Sequence, residues 1–151
     1  MLYSKTCEYA IRSLACLASK GRGAVKSASE MGAESGVPVA YVSKIFQSLV
    51  RKGFLKSSRG VGGGVTFCED PKMITVMQII DAVDDLTPFN QCAMGLDRCE
   101  DANGCPLHEI WKKAQKEIIF KFKATKLTDL TKRETVFRYG KLNRMKLKLA
   151  M

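Results

Sequence analysis

Between Ser27 and Cys68 the chain writes two helices and a hairpin in close succession, which excludes most folds open to 151 residues. Ser27-Ala-Ser-Glu30 is a capping-box pattern, in which the Ser hydroxyl takes a free backbone N–H and the Glu reaches back to the cap. The helix it opens ends near Gly36. Gly36-Val-Pro38 then turns into a second helix, with Pro38 suited to its first position. Val39, Val42, Ile45, Phe46, Leu49 and Val50 recur there at steps of three and four, forming one inward stripe. Ala40, Tyr41, Ser43, Lys44, Gln47, Ser48, Arg51 and Lys52 fall on the other face, and Gly53 stops the helix. Phe54–Ser58 and Val65–Cys68 follow as short strands around Arg59-Gly-Val-Gly-Gly-Gly64.

The flanking segments are helical. Ser4–Ser19 carries Ala10, Ile11, Leu14, Ala15, Leu17 and Ala18 at helical spacing. Thr75-Val-Met-Gln78 is a second capping-box pattern, opening a helix that reaches Asp85. After a loop from Pro88 to Cys105, a long helix begins at Pro106. Its apolar seam is Leu107, Ile110, Trp111, Ala114, Ile118 and Phe122. A shorter helix is predicted over 128–137, and the basic remainder is poorly patterned. The expected fold is mainly α with a small β wing.

Charge is unevenly placed. Residues 1–68 carry net +7, residues 69–111 net −7 and residues 112–151 net +10. Two basic segments around an acidic one suggest surfaces that meet a polyanion. The longest apolar runs are too short to span a bilayer, so no membrane partner and a cytoplasmic location are expected. With one histidine and no cofactor fingerprint, an enzyme is the weakest reading.

Two constellations carry chemistry. The helix pair with its hairpin describes a winged helix-turn-helix, whose second helix can present Ala40, Tyr41, Ser43, Lys44, Gln47, Ser48 and Arg51 to a major groove. In the wing, Gly60, Gly62 and Gly63 permit close backbone approach to the duplex, and Arg59 is the long cation placed to probe a minor groove. The other constellation is Cys92, Cys99, Cys105 and His108, spaced C-x(6)-C-x(5)-C-x(2)-H. That spacing is wider than zinc knuckles and suits a loop wrapped around an iron–sulfur cluster. A structural zinc and a thiol switch remain open alternatives; the zinc reading makes the chain an interaction module for nucleic acid or protein. The long amphipathic helix after the loop is a natural dimer element.

Taken together, Tyr9-Ala10, the turn into Tyr41, the Arg59-Gly-x-Gly-Gly-Gly wing and the triple-cysteine loop resemble the Rrf-two family of bacterial winged-helix regulators, the group of IscR, NsrR and RirA. The resemblance covers residues 1 to about 123. It implies a homodimeric transcription factor, a repressor or an activator, that binds a palindromic operator in double-stranded DNA. It also implies a 2Fe-2S or 4Fe-4S cluster on Cys92, Cys99 and Cys105 that senses iron, nitric oxide or redox state. The fourth ligand would be His108, as in IscR-like chains, or Glu8 from the partner subunit, as in NsrR-like ones. Ser43 stands where IscR-like proteins carry an acidic base-reading residue. The corresponding division is a DNA-binding domain at 1–85, a cluster-binding loop at 86–105, a dimerisation helix with its follower at 106–137, and a mobile basic tail at 138–151.

Overall fold

Five helices and one hairpin make up the structure, a computed structural model that describes residues 2–96 and 105–131. Helix α1 (Lys5–Ala18) starts where the Ser4 hydroxyl accepts the Cys7 N–H at 3.2 Å. Helix α2 (Ala28–Ser35) carries the complete capping box, with Ser27 and Glu30 each satisfying the other's backbone N–H. It ends at Gly36, whose φ of +67° is left-handed backbone that glycine adopts without penalty. Helix α3 (Val39–Arg51) stops in a Schellman arrangement, the Gly53 and Phe54 amides donating to Val50 and Leu49. Strands β1 (Leu55–Ser58) and β2 (Gly64–Phe67) pair antiparallel, with Leu55 opposite Phe67. Helix α4 (Val76–Val83) has the second capping box, Thr75 with Gln78, and Asp84 caps its end. A 3-10 turn at Thr87–Phe89 leads into the cysteine loop, and helix α5 (His108–Ala124) is followed by a 3-10 turn at Leu127–Thr131.

Packing explains the arrangement. Leu14, Leu17, Met31, Val42, Ile45, Leu49, Leu55, Ile79 and Leu127 are fully buried in one cluster that joins α1 to α4 with the hairpin. Each such side chain removed from water contributes about 1.5–3 kcal/mol before chain entropy is set against it. A smaller cluster of Cys7, Val76, Ile80 and Phe89 receives Ile118, Ile119 and Phe122 from α5. Gly32 lets α2 and α3 close on each other, because a Cβ there would lie 2.9 Å from Val39 Cγ2. The wing is tied to the body by an isolated bridge in which Lys26 and Val65 exchange backbone bonds of 3.1 and 2.9 Å. Similarly, Val76 N–H donates to Thr125 and Leu127 N–H to Ile74, fixing the C-terminal end of α5 beside the start of α4.

Several expectations shift. Pro38 is the N-cap and not the first helical residue, because its ψ of 134° is still extended. Val39 is 45% exposed, since a first-turn residue of α3 covers Gly32 and does not reach the core. The helix expected from Pro106 starts at His108, after a turn closed by His108 N–H on the Cys105 carbonyl at 3.1 Å. Of its apolar seam, Leu107 and Ile110 are exposed, and Gln115, outside that seam, is buried. The segment predicted as helix over 128–137 begins in the 3-10 turn, and its remainder, like the basic tail, lies outside the described residues.

Candidate nucleic-acid interface and cysteine loop

The outward face of α3 consists of the side chains its periodicity leaves out of the core. Ala40, Tyr41, Lys44, Gln47 and Arg51 are exposed, and Ser43 and Ser48 are half-buried. Tyr41 meets Tyr9 of α1 edge-on, with ring centroids 5.3 Å apart and planes at 70°. Tyr9 in turn lies beneath two cations, Lys5 Nζ at 5.3 Å and the Arg12 guanidinium at 5.8 Å. Arg12 also donates to the Ser35 carbonyl at 2.8 Å, joining α1 to the turn between α2 and α3. Tyr9 and Arg12 thus support the candidate recognition face from behind. Their spacing of three along one helix is the sequence signal for this support.

The wing presents Arg59, exposed, at the base of a turn closed by the Gly63 N–H on the Gly60 carbonyl at 3.0 Å. Gly60 and Gly62 have φ of +91° and +73°, and Val61 between them is fully exposed at the tip. A Cβ on Gly63 would lie 2.6 Å from the Ser58 carbonyl oxygen, so the turn has no room for a side chain there. Behind the wing, Lys26 reaches Glu30 at 3.3 Å and Glu34 at 3.1 Å, and Lys20 reaches Glu34 at 2.7 Å. Exposed cations on α3 and the wing suit phosphate contact beside base contact.

The cysteine loop leaves the body after Phe89. Cys92 and Cys105 are half-buried, and Cys99 lies outside the described residues. The Met94 N–H points at Cys92 Sγ at 3.4 Å, the kind of bond that supports a thiolate ligand, and the Gly95 N–H closes a turn on the Cys92 carbonyl. Leu2, Pro88, Gln91, Cys92, Ala93 and Trp111 line a cavity of about 320 Å³ beside this turn. The Gln91 carbonyl accepts two side-chain donors from α5, Trp111 Nε1 at 2.7 Å and Gln115 Nε2 at 2.8 Å. His108 is the first residue of α5.

Glu8 lies on α1, where it pairs with Lys5 at 2.7 Å and Arg12 at 3.6 Å. Among the described residues, no three His, Cys, Asp or Glu side chains converge as a metal site requires. In donor chemistry the set still fits an iron–sulfur group, being soft thiolates on a turn-rich loop. The other cysteines are differently placed. Burial, helped by Asp84, pushes the Cys7 thiol up to about 12, and burial with Glu34 pushes Cys16 up to about 11. Cys68 is exposed just beyond β2.

Comparison with known proteins agrees with this architecture. The model of the Rrf2 family, described as an iron-dependent transcriptional regulator, matches residues 3–133. The HTH-type transcriptional regulator IscR of Xenorhabdus nematophila is 28% identical over 134 residues, covering 80% of this chain and 81% of that protein. Two solved structures share the fold. CymR of B. subtilis, described as its global cysteine regulator, superposes with a TM-score of 0.72 at 23% identity, covering 87% of this chain and 96% of its own. IscR of T. potens does so with a TM-score of 0.65 at 21% identity, covering 86% and 85%. No helix among the described residues is long and apolar enough to cross a membrane.

Proposed function

This chain belongs to the Rrf2 family of iron-dependent transcriptional regulators, and on that premise we propose that it is a homodimer that couples an iron–sulfur cluster to operator binding. In this reading α3 enters the major groove of a palindromic site, with Ala40, Tyr41, Ser43, Lys44, Gln47, Ser48 and Arg51 at base edges and phosphates. Arg59, with Gly60, Gly62 and Gly63, follows the neighbouring minor groove. Residues 1–85 form the DNA-binding unit, 86–105 the sensing loop and 106–137 the dimer element.

Cys92, Cys99 and Cys105 would hold the cluster, with His108 or the partner subunit's Glu8 as the remaining ligand. A cluster supplies a reversible, oxidant- and nitric-oxide-sensitive crosslink across the loop. The observation that carries the reading is the placement of Cys92 and Cys105, both half-buried, at the two ends of the segment that joins the DNA-binding body to α5. The faces of α5 support the dimer. Ile118, Ile119 and Phe122 pack on the body, and Leu107 and Ile110 are left exposed beside them. Lys113, Lys116 and Lys123 surround the exposed Phe120 on another side, where pairing with a second copy would set like charges together. The seam therefore falls along Leu107, Ile110 and Ala114.

Iron and acid-labile sulfide per chain, measured on protein purified without oxygen, test this directly. The expected result is iron and sulfide in matched amounts, with loaded and stripped protein differing in operator affinity by about tenfold. Neither element after anaerobic reconstitution would overturn the cluster and leave a thiol switch; zinc alone would leave a structural site.

A further inference from the structure

We infer that Trp111 and Gln115 are positioning residues for Cys92, holding its arm of the loop on α5 through the carbonyl of Gln91. Two N–H groups from one helix converge on a single acceptor, at 2.7 and 2.8 Å, one residue before the cysteine. Their spacing of four puts both side chains on one face of α5. Gln115 is the buried residue of α5, at 6% exposure, and a buried amide at a position where an apolar side chain would pack is costly unless its hydrogen bonds are made. Among the described residues, the apolar packing of α5 on the body comes from Ile118, Ile119 and Phe122 farther along the helix, while Ile110 in its N-terminal half is exposed. A pull on Cys92 therefore passes through the Gln91 carbonyl to the half of α5 that carries Ile110. This rests on the proposed sensing role of the loop, but the clamp itself is independent of any metal.

The test compares the metal-stripped full-length chain with its Gln115→Leu variant, which keeps bulk and loses the donor, and its Trp111→Phe variant, which keeps an aromatic ring and loses the donor. Alkylation of each cysteine by iodoacetamide is followed by peptide mass spectrometry. Cys92 is expected to react about 3- to 10-fold faster in either variant, the range a lost hydrogen bond allows. Cys68, exposed and distant in sequence, serves as the constant reference, and Cys7 and Cys16, buried in the body, report any general loosening. An unchanged Cys92 rate in both variants overturns the inference. So does a Cys92 rise matched by Cys7 and Cys16, which would make the two side chains ordinary fold determinants. Wild-type protein that takes up no iron or sulfide would remove the cluster reading, while the alkylation pattern would still decide the clamp.

Discussion

Glu34 sits where α1, α2 and the wing's anchor meet. Its partial burial opposes ionisation, but the ammonium groups of Lys20 and Lys26 outweigh that and hold its carboxyl below the ordinary 4.5. Glu30 is lowered in the same direction by the Ser27 N–H and hydroxyl and then by Lys26. Carboxylates depressed on folding stabilise the native state above their unfolded values, and this contribution drains away as pH falls through the lower folded ones. The stabilisation from Glu34 is therefore complete near neutrality and is lost below about pH 4.5. Glu34→Gln is predicted to lower stability at pH 7 by about 0.5–1 kcal/mol, discounted for its solvent contact. The gap from wild type closes as the acid limb is entered. Thermal melts from pH 7 to 3 would show this, and a gap that persists at pH 3 would contradict it.

At the scale of elements, the wing depends on a close backbone approach. A Cβ on Gly64 would lie 2.4 Å from the carbonyl carbon of Lys26, in the bridge that fastens β2 to the body. Gly64→Ala is expected to cost about 2–3 kcal/mol, read as a lower urea midpoint, and to weaken operator binding by displacing Arg59. Wild-type values for both would mean that the bridge is not what seats the wing. The elements themselves were legible wherever local chemistry decides. The boxes at Ser27 and Thr75 and the stop at Gly53 needed no distant contact. The Lys26–Val65 bridge was not legible, since it pairs single residues from segments far apart in sequence. Periodicity gives the apolar seam of α5 but not which of its residues meet the body, and it passes over Gln115, whose burial is made tolerable by a partner outside the helix. Of the candidate site, α3 could be read residue by residue because its pattern is intrinsic, whereas the support of Tyr41 by Tyr9 and Arg12 required the packing of α1.

For the whole molecule, the proposed dimer turns on the exposed part of α5. Ile110 is 69% exposed, so Ile110→Glu should leave the fold intact. At the centre of a seam it should raise the dimer dissociation constant by about 100-fold or more. Sedimentation velocity would then show monomer at concentrations where the wild type is dimeric, with operator binding lost alongside. A variant that still dimerises would move the seam elsewhere. The basic–acidic–basic order of the chain suits such an assembly, because the acidic stretch separates the winged helix from the lysine-rich α5. Trp111 adds a practical consequence. It is the chain's sole tryptophan, and its indole N–H is committed to the Gln91 carbonyl. All of the protein's indole fluorescence therefore originates beside the cysteine loop, so the unlabelled molecule carries its own optical gauge of that loop, readable in a cuvette as oxidant, metal or operator is titrated in.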